Sequence, residues 1–256
     1  MLKVLKTRIF QKYRTISYPA SIPEMPDRFS GLPKHNNSLC EKNCRDCVDI
    51  CPLKAITKKS NQIIIDLGKC IFCGECEKIC KKHAIQFTDE HRMTVSNPSD
   101  LIIKSEEEFR HAIQVKNEIL KIFKRSLRLR QVSAGGCNAC ESDINVLGTV
   151  GYDLGRFGIS FVASPRHADG LVVTGPVTKN MEEALRKTYD AIPEPKIVIA
   201  VGACAISGGL FADHTETHSG VDKIIPVDYY IPGCPPHPLT ILDGLLTVIK
   251  RNNNKF

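Results

Sequence analysis

Cys40-Glu41-Lys42-Asn43-Cys44-Arg45-Asp46-Cys47-Val48-Asp49-Ile50-Cys51-Pro52 decides how this chain is built, and Cys70-Ile71-Phe72-Cys73-Gly74-Glu75-Cys76-Glu77-Lys78-Ile79-Cys80 repeats it. Each run packs four thiols into about a dozen residues. A disulfide framework needs an oxidising compartment, and the N-terminus, Met1-Leu2-Lys3-Val4-Leu5-Lys6-Thr7-Arg8, lacks the apolar stretch and cleavage site of a secretory signal. Structural zinc usually takes two Cys-x2-Cys pairs held apart by a spacer. Runs this dense have the spacing of iron-sulfur ligands, so two adjacent 4Fe-4S clusters are expected. Of the twelve cysteines, Cys137, Cys140, Cys204 and Cys234 remain: one close pair and two distant singles. They form a third site that only folding can assemble, and on spacing alone it suits zinc as well as iron-sulfur.

The rest of the composition is that of a two-domain protein. A chain of 256 residues is long enough for two compact units. No apolar run approaches the 18 or so residues of a membrane span, so contact with a membrane has to come through partners or the surface. The formal charge of +7 counts every cysteine as neutral. Three oxidised clusters of net charge about −2 each would bring the assembled protein to roughly +1, which makes the basic excess largely a counterweight.

Four segments follow. Residues 1–33 are rich in Pro and basic residues; Tyr18-Pro19, Ile22-Pro23 and Met25-Pro26 mark extended, non-helical backbone, an arm instead of a domain. Residues 34–100 hold the two Cys runs, an internal repeat, with helices beginning inside the runs and short strands after them at Ala55-Ile56-Thr57 and Ala84-Ile85-Gln86-Phe87. Residues 101–131 read as a linker helix. It is capped at Ser105, carries Glu106, Glu107 and Glu108 in its first turn, and ends in the basic stretch Lys121 to Arg130 as a solvated face or a docking or membrane-surface contact.

From residue 132 to 256 strands and helices alternate. Gly170 to Gly175 and Lys196 to Gly202 are continuous apolar runs ending at Gly, as in buried parallel strands, with helical spacing between them from Met181 to Ala191. Cys204 falls just past one such strand, and Cys234 follows another candidate at Lys223 to Asp228. Ligands of open α/β sheets gather at the carboxyl edge, and the Pro-rich loop Ile231 to Pro238 is rigid enough to hold a thiolate at a set place. The sheet setting turns the third site toward iron-sulfur. His35, His83, His91 and His111 lack a ligand constellation and read as ordinary surface residues.

The two Cys runs resemble bacterial ferredoxins, in which the last cysteine of each run crosses to the neighbouring cluster. That resemblance implies one cluster on Cys40, Cys44, Cys47 and Cys80 and another on Cys70, Cys73, Cys76 and Cys51. Two positions depart from the pattern: three residues separate Cys40 from Cys44 instead of two, and Lys81 follows Cys80 where Pro is usual. Thr15-Ile16-Ser17-Tyr18-Pro19 and Pro26-Asp27-Arg28-Phe29-Ser30-Gly31 resemble the leading segment of the two-cluster subunit of respiratory complex I. Gly135-Gly136-Cys137-Asn138-Ala139-Cys140-Glu141, Ala163-Ser164-Pro165-Arg166-His167-Ala168-Asp169, Gly202-Ala203-Cys204 and Tyr230-Ile231-Pro232-Gly233-Cys234-Pro235-Pro236 resemble the small-subunit family of [NiFe] hydrogenases and complex I. The chain therefore looks like a fusion of two neighbouring electron-transfer subunits.

The resemblance implies an α+β ferredoxin-like two-cluster domain followed by an α/β parallel-sheet, flavodoxin-like domain, and three [4Fe-4S] clusters on the twelve cysteines. It implies no complete active site on this chain alone, a large catalytic subunit and membrane subunits as partners, and a peripheral place on the cytoplasmic face of the membrane. Cys137 and Cys140 are two residues apart, as in the hydrogenases, where complex I has adjacent cysteines; His167 stands where complex I has Gln. With no twin-Arg signal, the formate hydrogenlyase and energy-converting type of membrane-bound hydrogenase fits best. Electron transport is the implied role. Glu141 and Asp143 are candidates for proton relay or tuning of the third site, or else are acids favoured at a helix N-terminus; Arg166 and His167 are candidate donors around it, or else make surface contacts. A complex I-type subunit and a freestanding ferredoxin-like carrier are the alternatives. Nucleic-acid binding finds little support, because the basic stretch lacks aromatic interleaving and the chain has no Trp.

Overall fold

A computed structural model describes residues 2–59, 62–104 and 126–249. The linker helix expected from Ser105, together with His111, lies outside the described residues. The first element is a helix, α1 (Leu2–Gln11), with no buried residue. This corrects the fully extended reading of the arm. The prolines that forbid helix begin only at Pro19, and residues 2–11 contain neither Pro nor Gly. Beyond it the arm is extended and strapped to the second half of the chain: Ile16 N donates to Gly151 O at 2.9 Å, and Tyr18 is buried.

The repeat builds the first unit. After each Cys run comes the expected strand, β2 (Ile56–Lys59) and β4 (Ile85–Phe87), and inside each run sits a one-turn helix, α2 (Asp46–Ile50) and α3 (Glu75–Ile79). β4 pairs antiparallel with β1 (Pro33–His35), and β2 with β3 (Gln62–Asp66), which also pairs with β5 (Ile102–Ile103).

The second unit is one five-stranded parallel sheet in the order β10-β9-β8-β6-β7: β6 (Leu127–Ser133), β7 (Ile159–Phe161), β8 (Gly170–Thr174), β9 (Ile197–Val201) and β10 (Tyr229–Ile231). β8 and β9 are buried along their whole length, as continuous apolar strands require. Helices α4 (Ala139–Val146), α5 (Lys179–Asp190), α6 (Ala203–Ser207) and α7 (Pro238–Val248) complete it.

Two expectations change here. Leu127 to Arg130, read as the tail of the linker helix, begins a strand. Leu127 and Leu129 are fully buried while Arg128 is exposed, a period of two that the charge run had masked. The strand before Cys234 is Tyr229–Ile231, not Lys223 to Asp228; Val221–Lys223 is a single 3-10 turn, Pro226 has no N–H to give a ladder, and the Asp228 carboxylate accepts from Val198 N at 2.9 Å.

The two units share a core. Leu67, Val95 and Leu101 pack in the same cluster as Val173, Ile206 and Tyr230. Val95 and Tyr230 exchange backbone hydrogen bonds of 3.1 and 2.8 Å. On the other face of the sheet α7 is buried on all sides, and its one charged residue, Asp243, accepts a hydrogen bond from the Tyr18 hydroxyl at 2.5 Å. His91 completes this junction at 3.1 Å from the same hydroxyl. His91 and His35 are thus buried, not surface residues; His83 is exposed as expected. Among the described residues no helix is long and apolar enough to cross a membrane.

Candidate iron-sulfur sites

The local chain direction explains how each run gathers its thiols. Cys47 and Cys76 lie near the starts of α2 and α3 and are buried, so the preceding loop must curl around them; Gly74, with φ +75°, makes that turn in the second run. Backbone N–H groups point at the sulfurs: Ala55 N to Cys51 at 3.3 Å, Ala84 N to Cys80 at 3.2 Å and Phe72 N to Cys70 at 3.3 Å. The Lys58 ammonium donates to the Cys40 sulfur at 3.2 Å.

Cys40, Cys44, Cys47 and Cys80 line one cavity, and Cys51, Cys70, Cys73 and Cys76 line another. Burial, then repulsion from Cys40, Cys44 and Cys80, pushes the Cys47 thiol up to about 11. Burial pushes Cys70 to about 12 against the Phe72 N–H, with Cys76, Cys51 and Cys73 adding to it. Cys76 rises to about 12, again chiefly by burial, then through Cys73, Cys47 and Cys51. The structure therefore brings Cys80 to the first set and Cys51 to the second. The coupling of Cys76 to Cys47 makes the sets neighbours. Thiols held this far above their ordinary value ionise only when a positive centre offsets the burial, which is what iron supplies to a thiolate ligand.

The third set stands where the strands end. Cys137 precedes α4 and Cys140 lies in its first turn; Cys204 lies in α6, directly after β9; Cys234 follows β10. Gly202 N donates to Ile231 O and Ala203 N to Gly233 O, both at 2.8 Å, tying the Cys204 and Cys234 loops together. Gly202 has φ +91°, and a Cβ there would lie 2.7 Å from the Cys140 sulfur. Cys140 is raised by burial, then by Glu141, Cys204, Cys234 and Cys137. Cys204 rises to about 11 by burial, then through Cys234 and Cys137. Four thiols from three loops thus converge at the carboxyl edge of the sheet.

Of the other predicted residues, Glu141 is buried beside this set and accepts a hydrogen bond of 2.6 Å from the Thr174 hydroxyl at the end of β8. Asp143 lines a groove with Cys234, His237 and Arg28, and burial raises its carboxyl. Arg166 and His167 are not at the site. They are exposed, in the turn that leads into the amino end of β8, while the cysteines follow the carboxyl ends; a five-residue strand separates the two edges by on the order of 13 Å. Thr174, Gly202 and Lys58 were missed, because their roles depend on partners distant in sequence or on a missing side chain. Only Lys58 left a trace: it stands opposite Phe87 when the two runs are aligned.

The chemistry of the donor sets suits iron-sulfur clusters. The donor sets are four thiols each, with N–H groups aimed at sulfur, as iron-sulfur sites require.

Comparison with known proteins places this geometry. Residues 39–85 match the 4Fe-4S dicluster domain, and residues 137–248 match the family described as NADH ubiquinone oxidoreductase, 20 Kd subunit. A probable membrane-bound hydrogenase subunit (mbhJ) of Pyrococcus furiosus is 44% identical over 134 residues, which are 52% of this chain and 80% of that protein. The chain belongs to this 20 kDa subunit family. Formate hydrogenlyase subunit 7 of Escherichia coli is 48% identical over 130 residues, 51% of each protein, so the chain spans about half the length of that relative. An NADH-quinone oxidoreductase subunit of Desulfovibrio desulfuricans is 49% identical over 111 residues, 43% of this chain and 60% of that protein. The chain thus joins a 4Fe-4S dicluster domain to a family member built on a parallel sheet.

Proposed function

We propose that this chain is the iron-sulfur electron-transfer subunit of a complex I-like, membrane-associated [NiFe] hydrogenase of the formate hydrogenlyase or energy-converting type, passing electrons to or from a large catalytic subunit. The observation that carries the reading is the convergence of Cys137, Cys140, Cys204 and Cys234 at one sheet edge, opened by a Cys-x2-Cys pair. Cys40, Cys44, Cys47 and Cys80 would hold one [4Fe-4S] cluster, Cys51, Cys70, Cys73 and Cys76 a second, and the sheet-edge set a third. The fold labels that go with this are ferredoxin-like and flavodoxin-like. When bound, the clusters supply one-electron exchange with little rearrangement.

The chain's own residues do the positioning. The N–H groups of Ala55, Phe72 and Ala84 stabilise charge on sulfur. Burial of Cys47 and Cys76, and partial burial of Cys140, keeps water from the ligands. Ile71 and Phe72, from the loop of the second set, line one groove with Cys234, so the second set stands between the first and the third. Glu141, fixed by Thr174, is the carboxylate placed to adjust the charge around Cys140. Exposed Leu210 and Phe211 beside Cys204 offer an apolar face to the large subunit. The fully exposed α1, with Leu2, Leu5, Ile9 and Phe10 among Lys3, Lys6 and Arg8 and no acidic residue, suits a peripheral place on the inner, anionic membrane face beside the membrane subunits.

A quinone-linked, complex I-type subunit is the second reading, favoured by the 49% identity to the NADH-quinone oxidoreductase relative. Purified complex with a reduced artificial carrier tests both. Hydrogen evolution is expected, and quinone reduction without hydrogen would select the second reading. Cys234→Ser should abolish that turnover while the dicluster unit stays reducible; full turnover would remove the third site from the path.

A further inference from the structure

The two Cys runs are close copies. Cys44, Cys47, Cys51 and Ala55 correspond to Cys73, Cys76, Cys80 and Ala84, and the N–H to sulfur bonds of Ala55 and Ala84 are equivalent. In the strands that follow, Ile56 and Ile85 are buried, Thr57 and Gln86 exposed, Lys58 and Phe87 half-buried. Among the differences between the copies, two touch each other. Cys40 stands one residue farther out than its counterpart Cys70, which lengthens the first loop. The side chain facing that loop is an ammonium in one copy and a phenyl ring in the other.

Lys58 Nζ uses all three of its donors there: Glu41 O at 2.6 Å, Cys44 O at 3.0 Å and Cys40 Sγ at 3.2 Å. Two of these acceptors are carbonyls of the lengthened loop and the third is a ligand sulfur. Phe87 instead lines the cavity of Cys51, Cys70 and Cys76 and meets Phe72 edge-on at 6.1 Å. The other charges near the first set are exposed and largely paired, Lys82 with Glu41 and Arg45 with Asp49, so salt and solvent screen them.

We propose that Lys58 differentiates the two sites of the repeat: it closes the enlarged Cys40 to Cys44 loop and stabilises the reduced state there, so that the outer site takes an electron more readily than the inner one. The proposal rests on the reading of these thiols as cluster ligands. Reduction adds one electron to a four-thiolate cluster, taking its net charge from about −2 to about −3, with no bond made or broken and no proton moved. A fixed positive charge in contact with a ligand sulfur favours the more negative state. A phenyl ring offers no such charge.

The test is a dithionite-poised redox titration of the anaerobically purified full chain, followed by electron paramagnetic resonance with iron content measured on the same samples. Lys58→Met should keep its iron and lower the reduced-to-oxidised ratio of one cluster about tenfold at a given potential, a shift of about 59 mV for a one-electron couple. Lys58→Arg should restore that ratio to within about threefold, and Phe87→Lys should raise the ratio of the other cluster by a similar factor. A fully loaded Lys58→Met protein with unmoved midpoints overturns the proposal. Should Lys58→Met lose the first cluster, Phe87→Lys decides, and an unmoved second midpoint overturns it equally. Wild-type protein without cubic clusters would be a different failure, that of the ligand assignment, and the iron count reveals it.

Discussion

Replacing Gly202 by Ala adds one methyl group and should cost the chain the cluster proposed at the sheet edge. Gly202 has φ +91° and ψ 154°, a region open essentially to glycine alone, where another residue is strained by about 1–3 kcal/mol. The new Cβ would sit 2.7 Å from the Cys140 sulfur, well inside contact distance, and overpacking of this kind adds about 1–3 kcal/mol. The protein can lower the second cost only by moving the sulfur, on the order of 1 Å, out of a set whose other members are fixed by tied loops. The expected result is a loss of about 2–6 kcal/mol and a fall in iron from about twelve to about eight per chain, with the dicluster signals intact. Gly74→Ala is the control: its φ is +75° but nothing lies within 4 Å of the added Cβ. It should cost only the left-handed strain of about 1–2 kcal/mol and no iron. Gly202→Ala protein with twelve irons and an unchanged melting temperature would refute the close-approach argument.

Cys51→Ala should remove the cluster of Cys70, Cys73 and Cys76, because Cys51 couples to those thiols; spectra showing the loss of the Cys40 to Cys47 cluster instead would sink the crossed assignment. Tyr18→Phe deletes the hydroxyl that donates to Asp243 and should cost about 1–3 kcal/mol, seen as a melting point lower by roughly 2–12 °C; an unchanged melting point would mean the junction contributes nothing net. Burial holds His91 below its ordinary value of 6.5, against the pull of Asp243 and Glu90. Below that value the unfolded chain binds a proton that the folded one refuses. Stability present above about pH 6.5 should therefore decline as pH falls toward the folded value, and a His91→Gln variant with the same slope in thermal melts would exclude this residue as the source.

Much of the site could be read from the sequence, because cysteine spacing is itself the chemistry and apolar runs such as Leu171 to Thr174 have few other places to go. What stayed hidden was non-local. Arg128 and Arg130 made the start of β6 look like the end of a charged helix, although Leu127 and Leu129 between them are buried. His91 looked like a surface residue because its partners, Tyr18 and Asp243, come from the arm and from α7. Glu141 was visible, but Thr174, which orients it, is 33 residues away. Gly202 stood out only for its place beside Cys204, since nothing in a sequence says which glycine faces a sulfur.

The shared backbone bonds of Val95 and Tyr230 bear on how such a machine is put together. Two redox proteins made as separate polypeptides must collide in the right orientation, and their spacing then varies with every loosening of the contact. Here one chain carries both units, and the paired backbones of Val95 and Tyr230 set their spacing. No dilution, salt or competitor can dissociate one half from the other, and a cell making this chain cannot make its two halves in unequal numbers.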